Sequence, residues 1–75
     1  MEISLAQLQP GKAGRLVQLE ENSPLTRRLR TLGLVPGTRV ECLYRGPGGS
    51  VTALGFRGAV FALRTRDLKR IGVWC

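Results

Sequence analysis

The chain is 75 residues long, enough for one small domain over 1–75 that buries only about 60% of its unfolded surface and leaves no interior for a deep, closing cleft. Its 43% hydrophobic and 23% charged residues exclude a disordered tail, and 10 Gly with 4 Pro favour several short strands over a helical bundle. The net charge of +7, from 12 basic residues against 5 acidic, is drawn to nucleic acid, anionic lipid or an acidic protein face, or simply keeps the surface solvated.

In chain order, Ser4 is placed to cap a short helical turn that holds Leu5 and Leu8 inward, before a turn at Pro10-Gly11. Residues 13–19 predict a first strand with Val17 and Leu19 on one face, closed by the polar run Glu20-Glu21-Asn22. Ser23 as N-cap and Pro24 at the first position predict a helix from Pro24 to Leu32. Leu25, Leu29 and Leu32 fall at i, i+4 and i+7 and form one buried stripe. Arg27 and Arg30 point away from that stripe, with Arg28 at its edge. Gly33 then stops the helix, and Leu34 folds back on the last turn.

Pro36-Gly37 makes a second turn, after which residues 38–44 alternate with Val40, Cys42 and Tyr44 on the core face. Gly46-Pro47-Gly48-Gly49 reads as a flexible connection. Residues 51–56 and 59–64 flank Arg57-Gly58, a tight hairpin signal, and place Leu54, Phe56, Phe61 and Leu63 inward. Thr65 can cap one turn through Leu68, and Ile71-Gly72-Val73 reads as a closing strand. The result is an all-β fold, a small barrel of about five strands with one short helix, because a barrel hides the sheet edges of so short a chain. Its predicted core is Leu8, Val17, Leu25, Leu29, Leu32, Val40, Cys42, Leu54, Phe56, Phe61, Leu63 and Ile71.

Catalytic chemistry finds no support. The chain has no His, which removes the commonest general base and the commonest metal ligand. Two distant cysteines, Cys42 and Cys75, make neither a disulfide scaffold nor a zinc site with CxxC spacing. Glu20 and Glu21 are adjacent, but neighbours in an extended segment point to opposite faces and make a poor chelating pair. No Ser or Cys has a base to pair with, and the Gly-rich stretch lacks the GK[ST] ending of a phosphate loop. Catalytic, cofactor and metal residues are therefore all expected to be absent, and with aromatic platforms sparse, nucleic acid is not the expected partner. Met1 to Lys12 lacks the features of a signal peptide, and no apolar run approaches about 18 residues, so a reducing cytoplasm is expected.

The stretch Arg28-Leu29-Arg30-Thr31-Leu32-Gly33-Leu34-Val35-Pro36-Gly37-Thr38-Arg39-Val40 resembles the signature of the FeoA family. Phe56-Arg57-Gly58 with Phe61-Ala62-Leu63-Arg64, and the opening Leu5 to Val17, resemble two further family segments in the right order. The resemblance implies an SH3-like barrel and a non-enzymatic accessory role in ferrous iron transport. It further implies docking on, and modulation of, the cytoplasmic part of FeoB, the membrane transporter with a GTPase-like domain. The chain would then be cytoplasmic, held at the inner membrane through its partner, and the family carries a general association with transition metals. Similar domains form the C-terminal part of iron-dependent repressors, so the alternative is a regulatory or nucleic-acid-binding module of that kind.

Leu25, Leu29, Leu32, Gly33, Pro36 and Gly37 each have a sufficient structural role in this reading. The surface expected to meet a partner is Arg27, Arg28 and Arg30 on the helix, with Gly48 and Gly49 in the adjustable loop. That loop departs from the P-L-G-D-P of many family members: its acid is gone. Homo-oligomers are left open.

Overall fold

A computed structural model describes residues 1–19 and 23–75. The expected polar strand end at Glu20-Glu21-Asn22 lies outside the described residues. Among the described residues the chain forms six antiparallel strands: β1 (Glu2–Ser4), β2 (Ala13–Gln18), β3 (Arg39–Arg45), β4 (Val51–Phe56), β5 (Ala59–Arg64) and β6 (Gly72–Trp74). They form one sheet in the order β1-β6-β2-β3-β4-β5. The strand beyond the expected five is β1, which pairs Ile3 with Val73. Its three residues are too short to show a period-2 pattern. The expected turn through Leu5 follows it as a 3-10 segment, Leu5–Gln7, and both Leu5 and Leu8 are buried.

The helix α1 spans Pro24–Thr31. Ser23 caps it as expected: its Oγ accepts from the Thr26 amide at 2.9 Å and donates to Thr26 Oγ1 at 2.7 Å. At the other end Gly33 adopts φ +102°. The Gly33 amide donates to the Arg30 carbonyl and the Leu34 amide to the Leu29 carbonyl, the two bonds of a Schellman motif. That motif seats Leu34, fully buried, against Leu29. The inward stripe is therefore Leu25, Thr26, Leu29 and Leu34. Leu32, expected in the core, is the C-cap residue and 37% exposed, because the chain turns back one residue beyond it.

The turn Val35-Pro36-Gly37-Thr38 closes with a Thr38 amide bond to the Val35 carbonyl, and Gly37 at φ +91° gives it type II geometry. Two other expected core positions are corrected. Val17 is 38% exposed and Leu16 is buried, because the inward positions of β2 are Gly14 and Leu16. Tyr44 is 60% exposed because the register between β3 and β4 shifts between Cys42 and Tyr44, putting an extra residue into β3. The remaining expected core is in place: Leu8, Leu29, Val40, Cys42, Leu54, Phe56 and Ile71 are buried, with Leu25, Phe61 and Leu63 half-buried against them. Phe56 and Phe61 stack with ring centroids 4.7 Å apart.

The sheet ends at β1 and β5, and 3-10 segments at Leu5–Gln7 and Thr65–Arg70 pack together beside it. Half-buried Arg45 ties the first of these to the barrel by donating to the carbonyls of Ala6 and Leu8. Such charge-assisted bonds satisfy carbonyls that a one-turn helix leaves without partners.

Candidate partner-binding surface

The three helix arginines expected at the surface are there. Arg27, Arg28 and Arg30 are all exposed on α1, whose inward side is held by Leu29. Arg28 and Arg30 occupy the last turn, where a cation suits the negative end of the helix dipole. Thr31 Oγ1 donates to the Arg27 carbonyl at 2.9 Å.

The Gly-rich loop is more ordered than a plain connection. Pro47–Gly49 forms one 3-10 turn, closed by a Gly49 amide bond to the Gly46 carbonyl, and Gly46 bonds the Val51 carbonyl. Gly48 and Gly49 have φ of +74° and +75°, and a Cβ on either would meet nothing within 4 Å. Gly48 is thus exposed and Gly49 half-buried, with open space where a side chain would stand. The Leu25, Leu29, Gly33, Pro36 and Gly37 positions act in folding, as described above.

The helix and the loop are joined by a segment the sequence reading did not single out. The 3-10 segment Thr65–Arg70 lies between them, and Arg66 lines a groove on each side. One groove, of ≈ 490 Å³, runs along the Gly49-Ser50-Val51 end of the loop. The other, of ≈ 540 Å³, runs along Ser23–Thr26 at the start of α1. Arg64, Arg66, Lys69 and Arg70 all fall within seven residues, and this density was the available signal. It was masked because the same stretch reads equally well as a strand end followed by a turn.

The opposite end of the hairpin also adds charge: the Arg57 side chain lies across Gly33 at the end of α1. Acidic counterweights are few. Arg39 reaches Glu41 at 3.5 Å, and Arg66 reaches Asp67 at 4.0 Å. Among the described residues no three of His, Cys, Asp and Glu converge, and no helix is long and apolar enough to cross a membrane. Cys42 is buried and Cys75 exposed; burial pushes the Cys42 thiol above its usual value near 9.0, with Arg45 opposing.

The fold is that of a small SH3-like barrel with a basic surface and shallow grooves. Residues 3–74 match the FeoA domain, and the chain belongs to the FeoA family. It superposes on iron(II) transport protein A from Clostridium thermocellum with a TM-score of 0.86 and 29% identity, covering 96% of this chain and 44% of that one. The chain thus spans less than half of that relative. FeoA from Stenotrophomonas maltophilia, solved with zinc and described as a procaryotic SH3 domain protein, matches at 0.83 and 31% over 95% of this chain and 88% of that one. No curated protein matches. A manganese-dependent transcriptional repressor shares the fold at 0.82 but only 18% identity, over 97% of this chain and 41% of that one.

Proposed function

We propose that this chain is a non-enzymatic accessory protein of ferrous iron transport, acting in the cytoplasm by docking on a FeoB-type transporter and modulating it. The observation that carries this reading is the FeoA-domain match over nearly the whole chain. The geometry supplies a means: Arg27, Arg28 and Arg30 stand exposed on a helix anchored by a buried leucine. Arg forks pair carboxylates in two-point contacts, which suits an acidic protein face. The Gly48-Gly49 turn, open where side chains would stand, offers a second, closely approachable contact. The likeness to the manganese-dependent repressor is one of fold alone and carries no DNA-linked role.

The experiment is a pull-down from solubilised membranes with tagged protein. Enrichment of a ferrous-iron transporter supports the reading; recovery no better than from bare resin overturns it.

A further inference from the structure

The groove between the Gly-rich loop and the 3-10 segment Thr65–Arg70 has a lining unlike the rest of the surface. Arg64, Arg66 and Lys69 contribute three cations, Ser50 and Thr65 contribute hydroxyls, and at Gly49 no side chain fills the space. Among the described residues no carboxylate lines it, and the acid nearby is Asp67. It lies in the neighbouring groove and meets Arg66 only at the 4.0 Å limit.

The walls are built rather than incidental. Val51 pairs with Arg64 at the end of the β4–β5 ladder. The next residue, Thr65, donates its amide to the Ser50 carbonyl at 2.9 Å. Behind it, Thr65 Oγ1 is 2.7 Å from Oγ1 of the fully buried Thr52. The loop and the cationic segment are therefore held together by main-chain and side-chain bonds.

We propose that this groove binds a phosphoryl group. Three cations with no facing acid favour a multiply charged anion over a carboxylate, because each added charge is met by another donor. The Ser50 hydroxyl at the same place can donate to an oxyanion, and the absence of a side chain on Gly49 lets a bulky tetrahedral group approach the cations closely. The local sequence has Ser50 directly after the glycines but lacks the lysine that normally follows a glycine loop of this use. Here the segment after β5 brings Lys69 to the loop from elsewhere in the chain. The ligand class is a phosphate ester, either soluble or on the headgroup of an anionic lipid. The site shares Gly49 with the second contact of the docking reading, but its cations are separate from the helix arginines through which that docking is tested.

The test is an amide-shift NMR titration of the whole chain with inorganic pyrophosphate at constant ionic strength. Alongside it runs co-sedimentation with phosphatidylcholine vesicles with and without phosphatidylglycerol. Saturable shifts confined to residues 48–51 and 64–69 are expected. Arg64→Gln/Lys69→Gln should weaken binding at least about tenfold. Arg27→Gln/Arg30→Gln, with the same change in charge, should weaken it less than about twofold, since screened charges away from the groove add little. All four side chains are exposed, so both variants should melt as the parent does. Co-sedimentation that needs phosphatidylglycerol and is lost in the groove variant assigns the lipid source; pyrophosphate binding without it assigns a soluble ester. Shifts spread over the arginines generally, or equal weakening by both variants, would mean ordinary counter-ion binding and would overturn the site.

Discussion

The side chain of Arg57 lies across Gly33: a Cβ built on Gly33 would come against Arg57 Cδ and stand 2.7 Å from Nε. The tip of the β4–β5 hairpin and the end of α1 are thereby brought into contact, and the two residues are in the left-handed region, Arg57 at φ +53° and Gly33 at +102°. Two segments of the family signature, far apart in the chain, meet at this contact.

Gly33→Ala should destabilise the fold by about 1–2 kcal/mol through the left-handed backbone alone. The steric part is smaller, because the flexible arginine can swing aside. Gly33→Asn carries the same Cβ but tolerates left-handed φ, so it should cost clearly less than Ala. Urea unfolding of both variants separates the causes. Equal losses would mean that contact with Arg57, not the dihedral, governs the position.

Leu29→Ala should cost about 2–5 kcal/mol, since Leu29 is 1% exposed at the centre of the core. In a domain this small such a loss unfolds much of the population. Leu32→Ala should cost under about 1 kcal/mol, because Leu32 stands at the helix end, largely outside the packing. Denaturation midpoints decide it; a larger loss at Leu32 than at Leu29 would restore the simple i, i+4, i+7 stripe.

Cys75 should react with iodoacetamide at once and Cys42 only on unfolding, as one is exposed and the other buried. Burial raises the Cys42 pKa in the fold, so its neutral form is favoured there. The associated stability is present below the unfolded value near 9.0 and is lost as pH rises through the folded value. Stability measured by urea should therefore fall above about pH 9, and the fall should be shallower in Cys42→Ala. A flat profile through that range would contradict the burial effect.

Anaerobic calorimetry with ferrous iron should show no stoichiometric submicromolar site in Cys75→Ser. The chain has no His, and its described acids and cysteines do not converge. A tight site surviving that substitution would contradict this.

Local signals carried most of the fold. Ser23-Pro24, Gly33, Pro36-Gly37 and Arg57-Gly58 each specify one backbone geometry, and each sits where its chemistry requires. Side-chain direction was less legible. At Gly14 the inward position carries no side chain, because a Cβ there would stand 2.9 Å from the Trp74 carbonyl of β6. The inward phase of β2 was therefore read from Val17 instead of Leu16. At Tyr44 an alternation that is perfect in sequence is broken by a bulge set by pairing with β4. The helix arginines were legible as a face, but the cations of residues 64–70 acquire meaning only when folding sets them beside the Gly-rich loop.

The central claim is tested most directly by stopped-flow binding to the cytoplasmic domain of the FeoB-type transporter at low and moderate salt. Arg27→Glu/Arg30→Glu should lower melting only slightly, through the reversed charge at the helix C-terminus, while it slows association and flattens its salt dependence, because such charges mainly steer encounter. Association of the folded double variant at the parent rate at both salts would contradict docking through this helix face.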